Sequence, residues 1–259
     1  MTAHRSRLIR EAFGKARDYD ANATAQAASA ARLASLIARR GLPAGARALD
    51  AGCGTGGLAA HLIASGLPGL YVCADISTEM LARARARLAK ASTPPLLAAM
   101  DLSRPALKSG FDLVASNMAL HWTRDIPAAL AGLWELLAPG GLLAVAIPGK
   151  ETFSAWRRAH ERLGFPCGLQ DFPSAQALAA MFPVKPEIVE ERHVLPLERA
   201  LDLPRHLKAV GGFVPRQGHV PLSPGQFRRV LAVLDSDGSG GPGMGYHVLH
   251  ALASRPLTG

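Results

Sequence analysis

Between residues 46 and 147, short apolar runs alternate with amphipathic segments. The apolar runs predict buried strands at 46–49, 70–74, 96–100, 111–116 and 142–147. Most of the segments between them carry apolar residues at helical spacing. Strands that alternate with helices are typical of a parallel sheet with helices on both faces, which is the α/β class.

The regions on either side of this core carry different patterns. Residues 7–40 predict two helices, with Asp20 as the N-cap of the second. Later in the chain, helical segments are separated by stretches rich in proline and glycine, and residues 187–195 and 246–253 predict two further strands. Residues 235–245 are rich in glycine and serine, which predicts a loop. The chain therefore predicts a seven-stranded, mostly parallel sheet, with N-terminal helices and a lid inserted after the fifth strand.

A glycine-rich turn follows the first predicted strand. From Asp50 the sequence reads D-A-G-C-G-T-G-G, and a helix is predicted from Gly57 onward. Glycine allows a sharp turn and lets a ligand approach the backbone, while the helix N-terminus offers unpaired N–H groups. This combination is typical of a nucleotide-binding turn at the carboxyl end of a strand.

Two cofactor patterns fit this turn, and the charge of Asp50 separates them. Gly52, Gly54 and Gly57 satisfy the dinucleotide pattern G-x-G-x-x-G. The second pattern is G-x-G-x-G preceded by an acid, and Gly52, Gly54 and Gly56 satisfy it with Asp50 before them. A dinucleotide would bring an anionic pyrophosphate that the carboxylate repels. S-adenosylmethionine would bring an ammonium and a sulfonium that the carboxylate attracts, so the turn predicts a site for S-adenosylmethionine.

Three consecutive strands of the predicted core end in an acid. Asp50, Asp75 and Asp101 follow the first, second and third strands, and Asn117 follows the fourth. The carboxyl ends of parallel strands meet at one edge of a sheet, so these side chains should line one crevice. Each acid alone could be a helix N-cap or a loop residue, but together they favour a cofactor site.

Composition and charge alter this picture little. The chain has 259 residues, 49% of them hydrophobic, and no apolar run approaches the ~20 residues of a membrane helix. The basic N-terminus lacks the apolar segment of a signal peptide. Three widely spaced cysteines form no zinc or disulfide pattern, which indicates a reducing cytoplasm and no bound metal. The net charge of +9 accompanies no nucleic-acid-binding motif, so neither nucleic acid nor membrane is an expected partner.

The segment L-D-A-G-C-G-T-G at 49–56 resembles motif I of class I methyltransferases. The resemblance implies a Rossmann-like class I methyltransferase fold, with S-adenosylmethionine as methyl donor and S-adenosylhomocysteine as product. In such enzymes the acid at Asp75 pairs with the ribose hydroxyls. The acid at Asp101 reads the adenine amine together with the next backbone N–H, that of Leu102. The implied cofactor-binding residues are Asp50, Gly52, Cys53, Gly54, Asp75, Ile76, Met80, Asp101, Leu102 and Asn117.

Two further regions carry a closer resemblance. Residues 13–26 show Phe, small residues, Tyr-Asp, then Ala and Gln, and residues 207–212 read L-K-A-V-G-G. Both are similar to segments of the malonyl-acyl-carrier-protein O-methyltransferases of biotin synthesis. Three shorter segments agree as well: 112–117, 120–122 and 246–249. The chain departs from that family at 103–105, where Ser-Arg-Pro replaces the usual Leu-Pro.

This resemblance implies a single methyltransferase domain over residues 1–259. Its parts are an N-terminal helical segment, a cofactor-binding core, a lid and substrate region, and a final helix and strand, at 1–41, 46–147, 148–222 and 223–259. The implied reaction is methyl transfer to the free carboxylate of a malonyl thioester on acyl carrier protein, an early step of biotin synthesis, by a monomer. That carboxylate is ionised at neutral pH, so no general base is needed, and an arginine is expected to hold it.

The resemblance also singles out two residues near the methyl group. In many small-molecule methyltransferases the N-terminal segment closes over the cofactor, which would place Tyr19 beside the methyl; alternatively, Tyr19 only packs in a helix. His121 follows the fourth strand, where the loop faces the methyl donor, and is either catalytic or structural. In the same way, Ile76 and Met80 pack either on the adenine or in the core.

Acyl carrier proteins are acidic, so a basic rim is expected at the entrance of the crevice. Three residues on one predicted helix, Arg205, His206 and Lys208, fit that role, with further arginines nearby at 216, 228 and 229. The alternative is a solvated basic face in an arginine-rich chain.

Two rival functions stay open. One is methylation of another small acid or acyl thioester. The other is a non-methylating assembly factor or hydroxylase on the same fold, which the Tyr19-Asp20 opening disfavours because the related family opens differently.

Overall fold

The computed structural model describes residues 3–16, 18–66, 69–91, 93–236 and 242–257. Its strands are β1 (Arg47–Ala51), β2 (Leu70–Asp75), β3 (Leu96–Ala99), β4 (Phe111–Asn117), β5 (Leu137–Pro148), β6 (Glu187–His193) and β7 (Tyr246–Ser254). The α-helices are α1 (Ala3–Lys15), α2 (Tyr19–Asn22), α3 (Thr24–Arg40), α4 (Gly57–Ala64), α5 (Thr78–Leu88), α6 (Ile126–Glu135), α7 (Ser154–Arg162), α8 (Ala175–Ala179), α9 (Asp202–Ala209) and α10 (Pro224–Ser236). Short 3-10 turns lie at Leu120–Trp122 and Pro242–Met244.

The seven strands form one sheet in the order β3-β2-β1-β4-β5-β7-β6. Every pairing among β1 to β5 is parallel, whereas β7 is antiparallel to both of its neighbours. The predicted seven-stranded, mostly parallel sheet is confirmed. The strand order reverses between β1 and β4, and ligands of such sheets bind in the crevice at the carboxyl ends of the strands beside this point.

Both faces of the sheet are buried at its central strands, which explains why those strands are continuous apolar runs rather than alternating ones. Neighbouring residues of one strand enter opposite layers. Ala48 and Leu113 belong to the apolar cluster on one face, and Leu49 and Val114 belong to the cluster on the other. These four side chains are at most 1% exposed. The crevice therefore rests on a rigid, well-packed base.

The starts of α5 and α3 are capped differently. Ser77 caps α5, because its hydroxyl accepts a hydrogen bond from the backbone N–H of Met80. The prediction that Asp20 caps the second helix is wrong. Asp20 lies inside the one-turn helix α2, and α3 begins after Ala23, which provides no side-chain cap.

The C-terminal part agrees with its predicted elements in outline. The predicted loop at 235–245 lies partly outside the described residues, and its described end forms the turn Pro242–Met244. Within the part of the chain that the structure describes, no helix is both long enough and apolar enough to cross a membrane.

Candidate active site

The glycine turn after β1 needs its glycines for backbone reasons. Gly52, Gly54 and Gly56 have φ angles of 78°, 53° and 80°, a region that side chains disfavour. A Cβ added to Gly52 would lie 2.3 Å from the Cβ of Ala119 in the loop after β4. Only glycine lets the two loops approach so closely, and a ligand can reach the backbone between them.

Asp75, at the end of β2, anchors this turn. One carboxylate oxygen accepts a hydrogen bond from the backbone N–H of Gly54 at 2.9 Å, and the other accepts one from Ser77 at 2.8 Å. Burial raises the pKa of the Asp75 carboxyl, and these backbone hydrogen bonds oppose the rise. Each carboxylate oxygen keeps a free lone pair, so Asp75 can hold the turn and still accept hydrogen bonds from a ligand.

A cavity of about 170 Å³ lies over the turn and the strand ends. The structure brings all ten of the predicted cofactor-binding residues to its lining, together with Tyr19. Asp101 is held by the backbone N–H of Ser103 at 2.8 Å and by the hydroxyl of Ser6 at 3.3 Å. Met80 is 1% exposed, so it belongs to the packed core as well as to the cavity wall.

Asn117 lines the cavity, but its amide is already engaged. The side-chain oxygen accepts a hydrogen bond from Ser29 at 2.7 Å, and the nitrogen donates to the carbonyl of Gln26 at 3.1 Å. Both partners lie on α3, so Asn117 fixes the N-terminal helices against β4.

Asp50 is the least satisfied polar group in this cavity. It is 1% exposed, and neither carboxylate oxygen makes a hydrogen bond of normal geometry. Burial raises its pKa to about 7, and nearby Asp75 adds to the rise; the backbone N–H of Ala59 opposes it slightly. A buried acid without a partner is costly, so the site favours a ligand that brings a cation or hydrogen-bond donors.

A second cavity, of about 330 Å³, lies beside the first. Its wall is largely aromatic and includes Trp122, Phe153, Trp156 and Phe172. Phe153 and Met118, which also lines this cavity, both have φ of 53°, a strained value for residues other than glycine. Such strain persists where surrounding packing enforces it, and it concentrates at functional sites.

Residues 49–143 match the protein family described as Methyltransferase domain. The chain is 36% identical to a malonyl-[acyl-carrier protein] O-methyltransferase of Magnetococcus marinus, over 97% of this chain and 94% of that protein. It is 37% identical to the biotin biosynthesis bifunctional protein BioCD of Bordetella avium, over 90% of this chain and 50% of that longer protein. This chain belongs to the malonyl-[acyl-carrier protein] O-methyltransferase family. Enzymes of this methyltransferase family use S-adenosylmethionine as methyl donor.

Solved structures agree on the fold. The YcgJ protein of Bacillus subtilis superposes with a TM-score of 0.59 at 14% identity, covering 86% of this chain and 97% of that one. A Haemonchus contortus phosphoethanolamine N-methyltransferase, solved with S-adenosylhomocysteine, superposes with a TM-score of 0.53 at 18% identity. The superposition covers 86% of this chain and 52% of that one. The predicted class I methyltransferase fold is confirmed.

In this methyltransferase, five residues line both cavities and form the wall between them: Phe13, Tyr19, Gln26, Met118 and Trp122. The ring of Phe13 packs edge-on against Tyr19 and Trp122, with centroids 6.3 and 5.5 Å away. Burial raises the pKa of the Tyr19 hydroxyl far above its usual range, so it remains a hydrogen-bond donor at any working pH. Tyr19 therefore lies between the two cavities.

His121 lies in the second cavity and is not part of the cofactor cavity lining. Burial lowers its pKa to about 3, so the imidazole is neutral. It packs against Trp122 and Phe172, with ring centroids 4.8 and 5.8 Å away. A group with this pKa is a weak general base at neutral pH, which favours a role in shaping the cavity.

The sequence does not predict the contacts that hold the N-terminal segment over the first cavity. Asp20 accepts a hydrogen bond from the Thr55 hydroxyl at 2.7 Å and pairs with Arg87 at 2.8 Å. Arg83 donates to the backbone carbonyls of Ala16 and Gly14. The sequence feature that could have indicated them is Asp20, the acid directly after Tyr19. Its partners Thr55 and Arg87 are 35 and 67 residues away, and no local pattern links them to it.

The predicted basic rim is only partly assembled. Arg205 and Lys208 are exposed on α9, and Arg205 pairs with Asp202 at 3.3 Å. His206 points inward instead, toward Tyr246, because the apolar face of α9 covers the second cavity. Arg216 pairs with Asp171 at 3.6 Å, in the loop that borders that cavity.

Proposed function

We propose that this enzyme transfers the methyl group of S-adenosylmethionine to the free carboxylate of a malonyl thioester on acyl carrier protein, an early step of biotin synthesis. The observation that carries the proposal is the pair of cavities that share a wall at Tyr19. One is lined with acids at strand ends, and the other is apolar. The names of the relatives supply the acceptor, because an apolar cavity alone does not identify it.

In the cofactor cavity, each acid has its own task. S-adenosylmethionine supplies an electrophilic methyl group on a sulfonium when bound. Asp50 receives the ammonium of its methionine part, which supplies the missing partner of the buried carboxylate. Asp75 accepts hydrogen bonds from the ribose hydroxyls, and Asp101 accepts one from the adenine amine beside the N–H of Leu102. Gly52, Cys53 and Gly54 leave the backbone open to the ligand.

The acceptor reaches Tyr19 through the second cavity. A malonyl carboxylate is ionised at neutral pH, so the enzyme has to align oxygen, methyl carbon and sulfur and needs no proton transfer. The neutral His121 and the aromatic walls exclude water from the site. Opposite charges are neutralised in the transition state, and a dry surrounding favours that change.

The test is to incubate the protein with S-adenosylmethionine and malonyl-acyl carrier protein and to measure the methyl ester by mass spectrometry. Acetyl-acyl carrier protein, which lacks the free carboxylate, is the matched control and should gain no methyl group. Free malonate and other small acids are offered in parallel. Methylation of one of these in preference to the carrier-bound thioester, or methylation of nothing, would overturn the proposal.

A further inference from the structure

The second cavity offers no cation to a carboxylate. Among the described residues that line it, none is an arginine or a lysine. The nearby Arg157 is engaged elsewhere: it lies over the ring of Phe172 at 5.3 Å and donates to the backbone carbonyls of Thr152 and Gln170. The arginine expected to hold the substrate carboxylate has no counterpart in this wall.

A buried phenol with two neighbours takes that place. The hydroxyl oxygen of Tyr246, at the start of β7, lies 3.5 Å from the side-chain nitrogen of Gln26 and 3.3 Å from Nε2 of His206. Phe153 packs edge-on against the Tyr246 ring with centroids 4.7 Å apart. Burial raises the pKa of Tyr246 above its usual range and lowers that of His206, so both groups are neutral and the phenol keeps its proton.

The direction of that proton depends on the tautomer of His206, because Nε2 can either donate to the phenol oxygen or accept from it. A phenol oxygen has two acceptor positions and one proton. Gln26 fills one acceptor position, and His206 fills the other in the tautomer with its proton on Nε2, which we assign. The phenol proton is then left to a third partner. Tyr246 lines the second cavity, as does Tyr19, so a ligand in this cavity can accept that proton.

Given the proposed function, we propose that Tyr246 binds the acceptor carboxylate as a neutral hydrogen-bond donor, together with Tyr19, and that His206 is the positioning residue of Tyr246. In the reaction, a carboxylate oxygen lone pair forms the bond to the methyl carbon. The carbon–sulfur bond breaks, its electron pair stays on sulfur, and no proton moves. Because the carboxylate loses its charge, an arginine would stabilise the ground state more than the transition state. Neutral phenols orient the oxygen with less of that penalty.

The experiment compares Tyr246→Phe, His206→Leu, His206→Gln and the double variant Tyr246→Phe/His206→Leu on malonyl-acyl carrier protein. Tyr246→Phe should lower kcat/KM about 10- to 100-fold, since it removes a hydrogen bond to a charged group, and should leave S-adenosylhomocysteine affinity unchanged. His206→Leu should give a smaller loss, which His206→Gln restores because its amide can donate. The double variant should match Tyr246→Phe alone, because His206 acts through it. Tyr71→Phe, at a buried tyrosine outside both cavities, is the matched control.

Unchanged kinetics in Tyr246→Phe would overturn the carboxylate assignment, and additive losses in the double variant would overturn the positioning role of His206. Failure of the proposed function has a different signature, since the wild-type enzyme itself would then form no methyl ester. In that case calorimetry of a malonyl thioester with the S-adenosylhomocysteine complex still decides. Weaker binding to Tyr246→Phe than to wild type supports the assignment, and equal or absent binding refutes it.

Discussion

The two cavities of this methyltransferase differ in chemistry and in construction. The cofactor cavity takes its charged groups from consecutive strand ends of the core, Asp50, Asp75 and Asp101. The second cavity is apolar, and its polar groups come from helices and strands far apart in sequence, such as Tyr19, His206 and Tyr246. In the proposed function, a cationic ligand is thus matched by acids, whereas an anionic acceptor meets neutral donors.

The difference follows from what each ligand does in the reaction. In the proposed complex the ammonium of the cofactor keeps its charge throughout, so an ionised Asp50 would stabilise binding without opposing the chemistry. The acceptor carboxylate and the sulfonium lose their charges together. A charged side chain that pairs with the carboxylate or with the sulfonium would lose its counter-charge when the methyl group is transferred. Substitutions in the cofactor cavity should therefore lower the affinity for the cofactor, whereas substitutions in the second cavity should lower kcat.

The largest effect is expected for Asp50→Asn. Removing the charge leaves the ammonium buried without a counter-charge, so affinity for S-adenosylhomocysteine should fall about 100-fold or more in calorimetry. The same change should stabilise the ligand-free protein. In the folded protein the pKa of the Asp50 carboxyl is about 7, above its ordinary value of 3.8. The folded protein therefore holds this proton more tightly than the unfolded chain does.

The sign of the pH dependence follows from these two values. Stability from Asp50 is fully present below pH 3.8 and is lost as pH rises toward 7, because in this range the folded state keeps a proton that the unfolded chain releases. At pH 8, Asp50→Asn should raise the free energy of unfolding by up to about 4 kcal/mol, measured by urea titration without ligand. At pH 4 the gain should vanish. An equal effect at both pH values would mean that Asp50 is not a strained acid.

A smaller loss is expected for Asp75→Ala. Hydrogen bonds to a charged acceptor contribute about 1.5–3 kcal/mol, so ligand affinity should fall roughly 10- to 150-fold. Asp75→Asn is the informative companion, because it keeps one acceptor for the ribose but loses the charge that holds the N–H groups of Gly54 and Ser77. If both variants bind S-adenosylhomocysteine as wild type does, the assignment of Asp75 to the ribose is wrong.

Tyr19→Phe probes the acceptor side at the shared wall. Loss of the hydroxyl should lower kcat roughly tenfold, because one donor to the reacting carboxylate is removed. Affinity for S-adenosylhomocysteine should change little, since the ring and its packing on Phe13 are retained. A loss of cofactor affinity without a loss of kcat would mean that Tyr19 contacts the cofactor and not the acceptor carboxylate.

All ten residues predicted to bind the cofactor line the first cavity, whereas the sequence predicted few of the residues that line the second. Asp50, the glycines and Asp75 lie within one strand–turn–helix–strand unit, so local order along the chain fixes their neighbourhood in space. The Tyr246–His206 contact joins residues 40 apart, and the Gln26–Tyr246 contact joins residues 220 apart. No periodicity or spacing rule reports such pairs. The sequence predicts His206 in a basic rim, because helical spacing alone does not say which face of α9 packs inward.

The smallest effect is expected at the outer surface of the acceptor side, where Arg205 and Lys208 of the predicted rim are exposed on α9. Acidic carrier proteins should be steered toward this face, so Arg205→Glu with Lys208→Glu should raise KM for malonyl-acyl carrier protein several-fold at low salt. The effect should shrink as salt rises, and a small malonyl thioester without the carrier should be methylated as before. Arg85→Glu with Lys90→Glu is the matched control, because it makes the same change in net charge on exposed residues that line neither cavity. Equal losses from both charge reversals would attribute the effect to net charge, and the docking role of α9 would be withdrawn.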